Sequence, residues 1–177
     1  MTHHNHVTLS LNALLCILIL LCMMGYSINY SSFGIVLAGV VLGSLLPDID
    51  EKESFIGKRT LFISFIFDRL FQHRGVTHYF FVPCLIFISS FYTDGLTSLF
   101  LIGLSFGWLF HILGDLLTYG GIFNAFFPFG NKNKRFALLP TKFRFRTNSR
   151  EEHQLGFFLG IVFFLEIFML VYQGGIK

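Results

Sequence analysis

Apolar stretches recur at about 9–25, 32–46, 79–93, 97–118 and 155–173, and nearly all the charge lies in the segments between them. Each stretch approaches the roughly 20 residues that carry an α-helix across a ~30 Å hydrocarbon core at ~1.5 Å per residue. The repetition predicts an all-α fold: a polytopic helical membrane bundle forming one integral-membrane domain over 1–177. Composition agrees, with 54% hydrophobic residues, 13% charged residues and a mean hydropathy of +0.67, outside the usual globular range. The stretches at 32–46 and 79–93 are short, so about five spans are expected, with four as the alternative if one is tilted or re-entrant.

Five spans joined by short turns at 26–31 and 94–96 place segments 1–8, 47–78 and 119–154 on one side. That side then holds 12 of the 13 Lys and Arg, with only Lys177 opposite. The positive-inside tendency makes it the cytoplasmic face of a bacterial inner membrane, with the N-terminus in and the C-terminus out. Juxtamembrane cations account for the basic segments 52–74 and 132–150, and no nucleic-acid partner is expected. The run LSLNALLCILILLCMMG follows no Lys or Arg and precedes no A-x-A-like cleavage site, so it reads as a retained span. Cys16, Cys22 and Cys84 lie inside apolar runs without CxxC spacing and suggest neither disulfides nor thiolate ligands.

Two connecting segments have patterns of their own. RTLFISFIFDRLFQ (59–72) reads as an amphipathic helix at the interface. GIFNAFFPFGNKNKRFALLPTKFRFRTNSREEH is punctuated by Gly, Pro and Asn, and its KFRFR alternates as a short strand would, giving a β-like loop.

Polar residues able to carry chemistry fall in four clusters. In LLPDIDEKES, Asp48 and Asp50 emerge where a proline ends the second apolar run, and an extended backbone would set them on one side. Helix-end capping is the alternative for an isolated D-x-D. In HRGVTH (73–78), His73 and His78 offer neutral imidazoles, the usual nitrogen ligands of zinc, or else interfacial hydrogen bonds. In HILGD, His111 and Asp115 share one helix face a turn apart, as metal ligands or as a pair bridging two helices. His6 stands at the mouth of the first span. Hydropathy and charge alone bring all four clusters to one interface, where a sulfur-free His/Asp set fits zinc or another divalent ion. Glu166 in FFLEIFML lies far from that end and reads as a protonated or helix-bridging carboxyl.

An N-terminal His6, GSLLPDIDEKESFIGKR (43–59), HRGVTHYF (73–80), GWLFHILGDLLTYGG (107–121) and TNSREE (147–152) together resemble the YdjM-like inner-membrane proteins. These are described as membrane-bound metal-dependent hydrolases, some regulated by the repressor LexA. The family is distantly similar to zinc-dependent phospholipase C and the S1/P1 nucleases, helical enzymes with His/Asp zinc sites. The resemblance implies metal ligands at His6, Asp48, His73, His78, His111 and Asp115, with Asp50 and Glu152 as ligands or supporting groups. Asn148 stands where the family's T-G-S-x-x-E has glycine.

The chemistry expected of such a site is hydrolysis of a phosphoester or lipid-type substrate. A divalent metal, zinc first among candidates, would activate water. Asp50 or Glu152 would act as base, and Arg74, Lys134 or Arg135 would neutralise a phosphate. Arg74 is equally suited to holding its loop against Asp48 or lipid phosphates. Competing readings are a non-enzymatic protein whose metal only staples helices, and a metal-ion transporter. The transporter is disfavoured because the polar residues gather at one end of the spans.

Overall fold

A computed structural model of the chain describes residues 1–51, 54, 56–59, 76–129 and 134–175. Among them are five α-helices: α1 (His3–Met23), α2 (Tyr30–Leu45), α3 (Phe81–Ser90), α4 (Gly95–Leu116) and α5 (Arg150–Tyr172). Four of the helical segments are long and apolar enough to cross a membrane, namely α1, α2 with its continuation to Asp50, α4 and α5. This is the lower of the two counts that the sequence allowed. The stretch at 79–93 carries only the ten residues of α3, about 15 Å of helix. A tight 3-10 turn, Val76–His78, precedes α3, and the chain turns again after Phe91.

Two different seams hold the long helices together. In α2 and α4 the motifs GVVLG (39–43) and GLSFG (103–107) lie face to face. Gly39 and Gly43 meet the backbone at Phe100, Leu104 and Trp108, while Gly103 and Gly107 meet it at Val36, Val40 and Ser44. A Cβ at any of the four would overlap main-chain atoms, so only glycine permits this approach, as in small-xxx-small packing within membranes. The α1–α5 seam is polar. Asn5 and Asn12, seven residues apart, donate Nδ2–H to the carbonyls of Glu152 (3.1 Å) and Leu159 (3.2 Å), also seven apart. Both pairs of helices run parallel, and α3 lies antiparallel to the first half of α4, where the Ser105 hydroxyl donates to the Pro83 carbonyl at 2.8 Å. The start of α1, the ends of α2 and α4, and the start of α5 therefore meet at one end.

Over that end folds the segment after α4. Strands β1 (Ile122–Phe123) and β2 (Arg135–Phe136) pair antiparallel, and Ile122 and Ala125 are buried with Ile112 and Leu116. KFRFR does not form the expected strand. Thr141–Phe143 is a 3-10 turn, and only Phe145 bridges to Thr118, because Pro140 starts the turn and Arg144 folds back to the Leu139 carbonyl at 2.6 Å. The amphipathic helix expected at 59–72 lies outside the described residues except for Arg59.

Candidate metal centre

Glycine packing of α2 on α4 sets the register of the centre. Ser44, one residue beyond Gly43, faces His111, four residues beyond Gly107, and the Ser44 carbonyl accepts a hydrogen bond from His111 Nδ1 at 2.7 Å. This bond fixes the ring's tautomer and leaves Nε2 as its ligand atom. One helical turn further on, Asp115 occupies the same face of α4. The chain leaving α2 does not extend but closes into a 3-10 turn, Leu46–Asp50, with Pro47 at its start. That turn corrects the expectation that Asp48 and Asp50 share a side: at i and i+2 of a tight helix they diverge and contact different nitrogens of His78.

Asp48 Oδ1 lies 3.4 Å from His111 Nε2 and 3.9 Å from His78 Nε2. Asp115 Oδ1 lies 3.3 Å from His6 Nε2, and its Oδ2 lies 3.5 Å from His78 Nε2 and 3.9 Å from His111 Nε2. The His6 and His111 rings stack with centroids 3.7 Å apart. The Met1 amino group also donates to Asp115 Oδ1, at 2.6 Å. Two overlapping triads result, His6–His111–Asp115 and Asp48–His78–His111, each with ligand atoms within 4.8 Å of one another.

The donor set fits a divalent cation. His6, His78 and His111 are fully buried, yet both ring nitrogens of His6 and the Nε2 atoms of His78 and His111 make no hydrogen bond. Buried polar atoms of this kind cost free energy unless they find a partner, and three imidazoles facing two carboxylates could hold a metal ion. Around His78 the electrostatics point the same way. Burial opposes charge on its ring, but the facing carboxylates of Asp115 and Asp50 outweigh it and raise the pKa to about 9. These carboxylates thus favour positive charge at the imidazole, and a proton competes with a metal for the position.

Asp50 supports His78. It is buried, lies 3.5 Å from His78 Nδ1, and accepts the Thr77 hydroxyl at 2.8 Å. Trp108 Nε1 donates to the Thr77 carbonyl at 2.7 Å and ties this turn to α4. Glu152 sits outside the imidazole cluster. Its two oxygens accept the backbone N–H groups of Thr2 and Asn148, each at 2.5 Å, joining the starts of α1 and α5. His73 and Arg74 lie outside the described residues. Lys134 and Arg135 are exposed on the β-hairpin. Glu166 lies along α5, remote from the cluster, with one buried oxygen that makes no hydrogen bond. Asp48 is the open edge of the centre: it is 18% exposed and lines a cavity of about 190 Å³ with Met1, Thr2, His3, Glu51, Ser54 and Thr147. Not anticipated from the sequence were Ser44, Trp108, Asn5 and Asn12. The paired G-x-x-x-G motifs and the seven-residue Asn spacing were the available signals for the helix contacts, whereas a backbone acceptor such as the Ser44 carbonyl leaves no sequence mark.

A family model described as YdjM inner membrane protein matches residues 1–175. Among curated proteins, the chain is 37% identical over 92 residues to inner membrane protein YdjM of Escherichia coli (strain K12), and equally to that of Shigella flexneri. Each alignment covers 49% of this chain and 46% of the relative, so the chain spans about half the length of the curated relatives it matches. No solved structure matches.

Proposed function

The chain belongs to the YdjM inner membrane protein family, and on that premise we propose that it is a membrane-bound, metal-dependent hydrolase acting on a phosphoester or lipid-type substrate at the cytoplasmic face of a bacterial inner membrane. The observation that carries this reading is the buried imidazole cluster with one edge, Asp48, open to a cavity of about 190 Å³. His6, Asp48, His78, His111 and Asp115 are the ligands in this reading, with His73 as a further candidate. A divalent ion held there, zinc first among candidates, supplies Lewis acidity and a water activated near neutral pH.

The remaining residues have positioning roles. The Ser44 carbonyl orients His111, and Asp50 with Thr77 orients His78. Glu152, both oxygens engaged by backbone N–H groups, anchors the segment bearing His6 and is a positioning residue more than a base. Asp50 is likewise enclosed. Asp48, the ligand at the open edge, is where a substrate entering the cavity would meet the centre. Arg74, Lys134 and Arg135 remain the cations assigned to a substrate phosphate.

One observation favours a second reading, a structural metal. The proposed ligands come from four separate segments of chain, so an ion would also clamp the bundle. Metal analysis of detergent-purified protein beside His111→Ala, paired with a phosphodiester turnover assay, separates these readings. The hydrolase reading expects bound metal in the wild type, its loss in His111→Ala, and turnover that follows metal content. Bound metal without turnover on any phosphoester offered leaves the structural role, and a metal-free wild type after metal-replete purification removes both.

A further inference from the structure

Between Leu116 and Glu151 the chain carries seven Lys and Arg and no Asp or Glu. Three of these cations lie over aromatic rings that are themselves exposed: Arg135 over Phe123 at 4.4 Å, Lys142 over Phe143 at 4.8 Å and Arg146 over Tyr119 at 5.7 Å. Among the described residues none of the three is paired with a carboxylate. Phe129, at the tip of the same segment, is 96% exposed. Exposed rings interleaved with cations match the chemistry of a membrane interface. They are stable at a headgroup layer, where aromatic side chains partition and anionic lipids attract Lys and Arg.

An apolar cleft of about 490 Å³ runs between α3 and α4, walled by Pro83, Cys84 and Ile88 on one side and Ile102, Phe106 and Leu109 on the other. It follows α4 for about 10 Å. Its end toward the site lies beside this cationic segment, since Phe81, at the start of α3, packs on Phe127 with ring centroids 6.1 Å apart, and Tyr79 stacks on the same ring at 5.2 Å. A cationic, aromatic segment beside the end of an apolar slot in a membrane-spanning bundle has the complementarity of one molecule class, an amphiphile with an anionic head. The geometry points to a binding site for an anionic phospholipid of the surrounding bilayer, with its phosphate among the cations of this segment and an acyl chain in the α3–α4 cleft. This site lies on the face of α4 away from His111 and does not depend on the metal centre or on hydrolysis.

Trp108, the single tryptophan, adjoins Leu109 of the cleft and serves as reporter. The full chain is reconstituted into phosphatidylcholine vesicles containing increasing fractions of dibrominated phosphatidylglycerol or, in parallel, dibrominated phosphatidylcholine, and Trp108 quenching is read. The anionic lipid should quench with a relative binding constant about fivefold or more above the zwitterionic one, the factor supplied by one interfacial cation. High salt should reduce the preference. Arg135→Gln/Lys142→Gln/Arg146→Gln should abolish it, and Cys84→Phe, which fills the cleft, should lower quenching by both lipids. Equal quenching in the wild type, or a preference that persists in the triple variant, overturns the assignment. If the triple variant fails to fold, the wild-type comparison and its salt dependence decide the question without it.

Discussion

The two helix seams deliver the candidate ligands to the same centre by opposite means. On the α2–α4 side, contact is steric, because four glycines bring main chain against main chain and leave one register in which His111 reaches the Ser44 carbonyl. On the α1–α5 side it is hydrogen-bonded, because Asn5 and Asn12 grip α5 carbonyls and Glu152 grips the backbone at Thr2. A steric seam tolerates no added atom, whereas a polar seam loses one bond at a time. The centre therefore depends unequally on the two, even though His6 comes from one and His111 and Asp115 from the other.

Breaking the steric seam should have the largest effect. Gly107→Leu drives a side chain into the Val40 carbonyl and the Ser44 amide, where the neighbouring atoms are backbone and cannot rotate away. Overpacking of this kind costs about 3 kcal/mol or more and displaces the Ser44–His111 contact. The expected result in detergent is a lowered unfolding temperature together with loss of bound metal. Retention of both would show that the register is set elsewhere.

Legibility in the sequence followed the same division. The apolar runs announced the long helices, and the sidedness of Lys and Arg was enough to gather His6, Asp48, His78, His111 and Asp115 at one end, because hydropathy sets where helices begin and stop. G-x-x-x-G at 39–43 and 103–107 was written plainly in the chain, although it states only that two helices approach closely and not which two. The 3-10 turn at Leu46–Asp50 was not legible, since its partners come from later in the chain, the Ser54 hydroxyl on the Asp48 carbonyl and the Thr77 hydroxyl on the Asp50 carboxylate, and so the different orientations of Asp48 and Asp50 were hidden. In KFRFR the alternation was real but, among the described residues, found only the single bridge of Phe145 to Thr118, and Pro140 turned the chain first.

Acidity tests the centre between the seams. The His78 imidazole, at about 9 in the folded chain against 6.5 in the unfolded one, contributes stability to the metal-free protein in full below pH 6.5 and loses it as the pH rises through 9. A cation must displace the same proton. Metal affinity should therefore rise roughly tenfold per pH unit up to about pH 9 and then level off, measured by competition with a chelator of known protonation. An affinity independent of pH in that window would place the displaced proton elsewhere.

The smallest effect is expected from the polar seam. Asn12→Leu removes the interhelical Nδ2–H bond to the Leu159 carbonyl, with the bond to the Thr8 carbonyl within α1, and replaces the amide with an apolar side chain of similar size, in surroundings that are largely apolar beyond this point of α1. Interhelical hydrogen bonds in membranes contribute about 0.6 kcal/mol on average, so the loss should be near that value, with metal content unchanged. Asn5→Leu is the sharper companion. Asn5 stands next to His6 and packs against Gly156, so forfeiting its bond to Glu152 loosens α1 on α5 beside the centre itself. If Asn5→Leu lowers metal affinity while Asn12→Leu does not, the polar seam acts on the centre only through its first turn. Equal effects would mean that α1 is positioned along its whole length, and the contrast between the seams would then be one of strength alone.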